Sequence, residues 1–279
     1  MTRNQIFSNY LLYISSTYTD ATYIFYESHL RCFYNYFKED EITTENLLKY
    51  ITYSRKHNIS NATINKRILA VKRAYKYNNL SHLVLENYKK LKETNKRFDV
   101  LTDDECEMLL QYVDDAPLSL QNKVIIHLLY DTGMRLNELL HIRITNINFD
   151  KKTIFLEYTK TSSERVVFFR KKTEKLLSKF VTKRIKQNGG SLDDETLLIT
   201  YTKSGIESLF YRLRKELNFK KLHPHMLRHT FATYLIRKNA SMDLIKNILG
   251  HSNYDMTLRY LHQNTSDLQK QLQLVDNAF

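Results

Sequence analysis

The sequence contains few of the residues that most often interrupt helices. Only five Gly and two Pro occur among 279 residues. Gly and Pro are the least favourable residues in a helix interior, so their scarcity predicts long helices joined by short polar turns. We therefore expect a mainly α-helical fold.

Cysteines and long apolar segments are also scarce. Cys32 and Cys106 are far apart and fit neither a disulfide framework nor a paired-cysteine zinc site, which favours a reducing cytoplasm. The longest apolar-rich run, Val124–Tyr130, is much shorter than the roughly 20 residues that cross a bilayer. The N-terminus lacks the apolar stretch of a signal peptide. We expect a cytoplasmic protein without a membrane segment.

Acidic residues are outnumbered by basic ones. The 43 Lys and Arg against 30 Asp and Glu give a formal net charge of +13. A hydrophobic content of 42% is too high for a disordered basic tail, so the chain is a folded basic protein. Such a charge favours a polyanionic partner, although basic residues on solvated faces would produce the same excess.

Residues 1–95 predict a bundle of about four helices, because apolar residues recur there at helical spacing. We interpret the aromatic residues of these stripes as core. The helix after Ser60 also has a basic face, which predicts contacts with a DNA backbone; a solvated surface is the alternative. The residues of this face are Lys66, Arg67, Lys72, Arg73 and Lys76.

A polar segment near Thr94–Asp99 predicts a linker to a second domain at residues 100–279. In this domain, Thr102 and Glu105 form a capping box at the start of a helix. Near the C-terminal end, Gly250 is expected to close a helix over Met242–Leu249 with a left-handed turn. Such a turn would direct His251 inward.

A β-hairpin is predicted in the middle of the second domain. Thr153–Tyr158 and Arg165–Arg170 are β-branched and aromatic runs, and Lys160 lies between them at the expected tip. Thr196–Thr200 is predicted to be a third strand. The rest of the domain has the pattern of helices.

Four segments place cationic or proton-transferring side chains at helix starts, turns or the hairpin tip, where distant residues can converge. They are Asp131–Leu139, Lys160, His223–Thr233 and Leu249–Tyr260. Taken singly, each has an ordinary explanation. For example, Arg135 and Glu138 have the spacing of a surface ion pair on a helix.

We expect no metal site. His225 and His229 have the spacing of helical zinc ligands, and His223 is nearby, but Met226 stands where that motif requires Glu. The two Asp-Asp-Glu runs, at 103–105 and 193–195, are better explained as a helix start and a loop.

Together, the four segments resemble the tyrosine recombinase (integrase) family, most closely its Xer-like and transposon-borne members. The resemblance covers the whole second domain in order and spacing. One departure is Thr159-Lys160-Thr161, where many Xer members have Gly-Lys-Gly. The catalytic positions that it implies are Arg135, Lys160, His225, Arg228, His251 and Tyr260, with Glu138 supporting Arg135.

The chemistry of the family explains these residue types. Attack on a phosphodiester builds negative charge on two non-bridging oxygens, which Arg135 and Arg228 can bind as planar, permanently charged forks. His251 adds a hydrogen bond. The resemblance implies that Tyr260 is the nucleophile, His225 its base and Lys160 the acid for the departing 5′-hydroxyl, without a metal or nucleotide cofactor.

The resemblance also implies the architecture and the assembly. A helical, SAM-like core-binding domain and an α-rich catalytic domain with a small antiparallel β-sheet would clamp double-stranded DNA in the nucleoid. Four subunits would act on two sites through a 3′-phosphotyrosine and a four-way junction. The tail at 266–279 is expected to dock on a neighbour, with packing on its own domain as the alternative. No further arm-binding domain is expected.

Two other functions would use part of this pattern. A type IB topoisomerase uses similar Arg, Lys, His and Tyr chemistry, but it is not expected to have His225 beside Arg228 in this motif. A non-catalytic DNA-binding regulator should have lost at least one of the six residues, and all six are present. The sequence leaves open the target site and the choice among chromosome dimer resolution, transposon resolution and element integration or excision.

Overall fold

The computed structural model describes residues 1–93, 98–157, 164–187, 193, 195–251 and 254. The chain divides into two compact units, Met1–Lys96 and Arg97–Phe279. Within the described ranges, every helix falls short of the length or the apolar character that a membrane span requires.

The N-terminal unit is a helical bundle. Phe33, Phe37 and Tyr50 are almost fully buried and contact one another ring to ring, as expected for core residues. Side-chain caps at Thr2, Thr43 and Ser60 start three of the helices. The helices are α1 (Arg3–Thr17), α2 (Asp20–Phe37), α3 (Thr44–Lys56), α4 (Asn61–Tyr77) and the short α5 (Leu83–Glu86).

The C-terminal unit is also mainly helical. The middle of α7 (Leu120–Thr132), from Val124 to Leu129, is buried on nearly all sides. This helix packs against α9 (Lys171–Gln187) and α11 (Pro224–Arg237). The predicted capping box at Thr102 and Glu105 is confirmed at the start of α6. The helices are α6 (Asp103–Asp115), α7 (Leu120–Thr132), α8 (Leu136–Leu140), α9 (Lys171–Gln187), α10 (Lys203–Glu216), α11 (Pro224–Arg237) and α12 (Met242–Leu249).

A small antiparallel sheet completes this unit, in the order β1 (Ile147–Asn148), β2 (Thr153–Leu156) and β3 (Arg165–Phe168). Strands β2 and β3 are the predicted hairpin, and Leu156 pairs with Arg165 at its last described register position. The expected tip, at 158–163, lies outside the described residues.

The prediction of a third strand at Thr196–Thr200 is wrong. Leu197 forms a single bridge with Arg143, and the third strand of the sheet is β1 instead. The chain turns into a 3-10 helix at Ile144–Asn146 directly after this bridge, which ends the pairing.

The predicted linker, Thr94–Asp99, is described only in part, because residues 94–97 lie outside the described ranges. The last two residues of this segment belong to the C-terminal unit and pack within it. The ring of Phe98 stacks on that of His229 with centroids 4.1 Å apart, and Asp99 accepts a hydrogen bond from Lys221 at 2.8 Å.

Candidate active site

Three arginine side chains surround the last turn of α12. Arg135 immediately precedes α8, Arg165 begins β3 and Arg228 lies in α11. The last carbonyls of a helix lack donors within the helix and carry partial negative charge, so they attract cations. We call Arg135, Arg165 and Arg228 the arginine cluster.

The two arginines predicted from the sequence lie side by side. Arg228, only 4% exposed, donates from Nη1 to the Gly133 carbonyl at 2.8 Å and from Nη2 to the Leu249 carbonyl at 2.6 Å. Arg135 donates to the same Leu249 carbonyl at 3.4 Å and to the Gly250 carbonyl at 3.1 Å. The shared Leu249 oxygen therefore brings the two guanidinium groups together.

Two glycines make this approach possible. Gly133 ends α7 with φ of +60°, and a Cβ there would lie 2.4 Å from the Phe231 ring. Gly250 ends α12 with φ of +64°, which confirms the predicted left-handed turn, and a Cβ there would lie 2.7 Å from Arg165 Nη1. Both positions combine a backbone conformation that favours glycine with a lack of space for a side chain.

The carboxylate of Glu138 lies beneath the arginine cluster and is 3% exposed. Its Oε1 accepts from Arg135 Nη1 at 3.1 Å and Arg165 Nη1 at 2.8 Å. Its Oε2 accepts from the Arg135 backbone N–H at 2.6 Å and Arg165 Nη2 at 2.7 Å. Burial alone would raise the pKa of Glu138, but Arg165 and Arg135 outweigh burial and lower this pKa to about 2.

Arg165 was not among the site residues predicted from the sequence. A signal was present, because side chains alternate between the faces of a strand and Arg165 shares its face with the fully buried Val167. An arginine on a buried face requires an acceptor, usually a carboxylate. The identity of that acceptor, Glu138, follows only from the folded structure.

Two of the predicted histidines have pKa values that keep them neutral near pH 7. His251 is 6% exposed, and burial together with Arg228 and Arg135 lowers its pKa to about 3. His225 lies in the first turn of α11. Desolvation by the surrounding protein, followed by the charge of Arg228, lowers the pKa of His225 below its ordinary value. Neutral imidazoles can accept a proton or a hydrogen bond.

The third histidine considered for a metal has a different structural role. His223 is the N-cap of α11, where its Nδ1 accepts the Met226 backbone N–H at 3.2 Å. The rings of His225 and His229 have centroids 6.4 Å apart. Among the described residues, no group of three or more His, Cys, Asp or Glu side chains has a metal-holding arrangement.

Lys160, Tyr260 and the tail at 266–279 lie outside the described residues. The nearby Tyr254 is described and exposed. It donates to the Asp243 carboxylate, and that hydrogen bond raises the pKa of Tyr254. The Lys246 ammonium lies 4.0 Å from the centroid of its ring. A tyrosine held in this way is harder to ionise than an ordinary one.

The basic face of α4 is only partly available to a ligand. Its exposed members are Lys66, Arg73 and Lys76, whereas Arg67 and Lys72 are half-buried. Arg73 donates to the Tyr26 hydroxyl, and the Lys72 ammonium donates to the Glu86 carbonyl at 3.2 Å.

The C-terminal unit matches a known protein family. The model of the phage integrase family matches residues 99–267, which is more than half of the chain. The chain belongs to this family, whose tyrosine recombinases are enzymes that cleave and rejoin DNA.

Relatives and solved structures agree with this assignment. The chain is 30% identical over 269 residues to the tyrosine recombinase XerA of Saccharolobus solfataricus, covering 90% of this chain and 86% of that protein. It is 29% identical over 245 residues to XerC of Bacillus pumilus, covering 83% and 80%.

Two solved structures share its fold. The Tn1549 transposon integrase in complex with transposon right end DNA has a TM-score of 0.78 at 17% identity, covering 100% of both chains. The XerH site-specific recombinase bound to a palindromic difH substrate has a TM-score of 0.73 at 23% identity, covering 91% and 80%.

Proposed function

We propose that this chain is a site-specific recombinase that cleaves and rejoins double-stranded DNA through a 3′-phosphotyrosine at Tyr260 and a four-way junction. The observation that carries the proposal is the convergence of Arg135, Arg228 and His251 on the end of α12. Tyr260 follows His251 by nine residues.

The charge of this site suits phosphoryl transfer. The arginine cluster carries three positive charges, and the carboxylate of Glu138, which accepts from Arg135 and Arg165, offsets one of them in a largely buried setting. A five-coordinate phosphorus carries additional negative charge on its non-bridging oxygens. Fixed positive groups stabilise that charge most strongly where water is excluded.

Proton transfer is assigned to the remaining residues. His225 accepts the proton of Tyr260 during attack, and its lowered pKa keeps it in the neutral form that this role requires. Lys160 donates a proton to the departing 5′-hydroxyl, which is a poor leaving group without one. His251 donates a hydrogen bond to a non-bridging oxygen.

DNA binding and assembly complete the proposal. Residues 1–95 form the core-binding domain, with Lys66, Arg67, Lys72, Arg73 and Lys76 facing the DNA backbone, and residues 100–279 form the catalytic domain. The enzyme acts in the cytoplasm, associated with the nucleoid, as a homotetramer on two sites. The tail at 266–279 docks on a neighbouring subunit.

Trapping the covalent intermediate tests the nucleophile. Wild type, Tyr260→Phe and Tyr254→Phe are incubated in EDTA with genomic DNA fragments, and protein joined to a DNA 3′ end is collected and its DNA sequenced. We expect the adduct with wild type and Tyr254→Phe and its loss with Tyr260→Phe. An adduct with Tyr260→Phe, or its loss with Tyr254→Phe alone, would contradict the assignment.

A substrate with sulfur in place of the 5′-bridging oxygen tests the acid. A thiolate leaves without protonation, so Lys160→Ala should be strongly defective on ordinary DNA and restored on the thio-substituted DNA. Tyr260→Phe should remain inactive on both substrates. An equal defect of Lys160→Ala on the two substrates would remove Lys160 from this role.

Two assays separate recombination from the alternatives. A recombinase exchanges strands between two copies of the trapped site and produces DNA of new connectivity, whereas a type IB topoisomerase only relaxes supercoils. Truncation after residue 265 should abolish tetramer formation on two sites, measured by sedimentation, while binding to one site persists. Tetramers formed by the truncated chain would exclude docking through the tail.

A further inference from the structure

We propose that Arg165 is a positioning residue for DNA cleavage, which holds Arg135 and the end of α12 in the arrangement that receives the scissile phosphate. The inference deepens the proposed function and rests on it. Arg165 itself need not touch DNA, because its contacts in the structure are made to the groups that support the site.

Arg165 and Glu138 form a buried, two-pronged ion pair. The Arg165 side chain is 6% exposed and that of Glu138 is 1% exposed. Arg165 donates one hydrogen bond to each oxygen of Glu138, at 2.8 and 2.7 Å. Two parallel hydrogen bonds between a planar guanidinium and a carboxylate fix both the distance and the orientation of the pair.

Glu138 is shared between Arg165 and Arg135. Each of its oxygens accepts one hydrogen bond from Arg165 and one from Arg135. A carboxylate has about four lone-pair sites, so these four bonds define its orientation. If the Arg165 fork is lost, Glu138 can rotate, and Arg135 loses the fixed carboxylate that holds its guanidinium group.

Arg165 also contacts the end of α12. The Nε of Arg165 donates to the Ile248 carbonyl at 2.7 Å, while its guanidinium lies against Gly250, where a Cβ would be 2.7 Å from Nη1. The same side chain therefore bridges α8 and the turn that carries His251. Arg165 is the first residue of β3, so one arginine connects β3, α8 and the end of α12.

The test compares Arg165→Lys with wild type on the site trapped above. Lysine keeps the charge but has no fork and cannot bond both oxygens of Glu138 and the Ile248 carbonyl. Loss of the hydrogen-bonding partner of a metal ligand typically costs about 10- to 100-fold in activity, and by analogy we expect a fall of that size in the single-turnover cleavage rate. DNA affinity should stay within about threefold of wild type. Arg237→Lys, which alters an exposed ion pair with Asp103, is the control and should cleave normally.

A neutral scissile phosphate separates positioning from general damage. A methylphosphonate lacks the charge that Arg135 must balance, so the deficit of Arg165→Lys should shrink to less than about threefold on this substrate. A structural defect of the whole unit would slow both substrates equally. An undiminished deficit, or a variant that cleaves ordinary DNA at the wild-type rate, would overturn the inference.

A readout without DNA distinguishes failure of this inference from failure of the proposed function. Carbon-13 NMR of labelled glutamate, with the Glu138 signal assigned through Glu138→Gln, should show Glu138 ionised down to about pH 3 in wild type. In Arg165→Lys its protonation should begin at least about one pH unit higher. An unchanged titration means that Arg165 does not hold Glu138, whether or not the wild type forms an adduct.

A double variant covers the case in which Arg165→Lys does not fold. Combining Arg165→Met with Glu138→Gln removes both charges of the buried pair, which is tolerated better than removing one. The double variant should fold and bind DNA but still cleave about 10-fold or more slowly, because Arg135 lacks its fixed carboxylate. Wild-type cleavage by this variant would overturn the inference.

Discussion

The two units of the chain hold their basic residues in different ways. On α4 of the N-terminal unit, Lys66 and Lys76 are exposed on one side of a helix. In the C-terminal unit, the arginine cluster is fixed by backbone carbonyls and by Glu138 at the end of α12. Exposed lysines supply attraction to a polyanion that depends little on geometry, whereas fixed guanidinium groups can stabilise one transition state.

The largest effect is expected from Arg228→Lys. Lysine cannot donate to both the Gly133 and Leu249 carbonyls while also binding a phosphate oxygen, so cleavage should fall about a thousandfold. Single-turnover cleavage of the trapped site measures this, with DNA binding recorded in parallel. A loss of less than about tenfold would mean that the fixed fork is unnecessary.

The next effect is on stability. Glu138 has a pKa of about 2 in the folded chain against an ordinary 4.5, so it stabilises the fold fully above about pH 5 and loses this contribution as the pH falls toward 2. Glu138→Gln should lower the free energy of unfolding by about 3 kcal/mol at pH 7. Urea titrations measure the difference, about half of which should be gone near pH 3. If the difference in the free energy of unfolding were the same at pH 7 and pH 3, Glu138 would not be stabilised as an ionised partner of the arginines.

A smaller effect is expected from Gly250→Ala. The positive φ and the close Arg165 guanidinium should together cost about 2 kcal/mol in the free energy of unfolding. Gly205→Ala is the matched control, because a Cβ there meets nothing closer than 3.6 Å, and it should leave stability unchanged or raise it by up to about 1 kcal/mol, since Ala is favoured over Gly in a helix. Thermal unfolding measures both variants. Equal changes for Gly250→Ala and Gly205→Ala would show that neither the positive φ nor the contact with Arg165 requires glycine at position 250.

The smallest effect is expected on α4. Lys66→Gln and Lys76→Gln should each weaken DNA binding a few-fold and reduce the salt dependence by about one unit of slope, without slowing cleavage of bound DNA. Arg67→Gln is the contrasting variant, because Arg67 interacts with the buried Tyr50 hydroxyl. It should lower stability as well as reduce the salt slope, whereas Lys66→Gln and Lys76→Gln should leave stability nearly unchanged. Fluorescence anisotropy across a salt series measures the slopes.

The sequence predicts the elements of this fold more completely than their contacts. The helices, the hairpin and the left-handed Gly250 follow from local patterns that need no knowledge of the fold. The strand β1 has two residues, which are too few to show a periodic pattern. The pairing of Arg165 with Glu138 joins residues 27 positions apart on different elements, and no local pattern determines it.

The same difference holds for the site, where single residues can be predicted from the sequence but their contacts cannot. Arg135 and Arg228 are recognisable from the motifs that contain them, but their common contact at the Leu249 carbonyl depends on how α12 ends. The role of His223 could not be predicted from the sequence, because a histidine that caps a helix and a histidine that binds a metal can occur in the same local sequence. Its backbone partner, the Met226 N–H, distinguishes the two.

Mass spectrometry of the trapped adduct tests directly whether Tyr260 is the nucleophile. Trypsin cleaves after Lys246, Arg259 and Lys270, so Tyr254 and Tyr260 fall on different peptides. After nuclease digestion of the adduct, we expect a nucleotide attached to the peptide that begins at Tyr260. A nucleotide on the peptide that contains Tyr254, or on any other, would contradict this expectation.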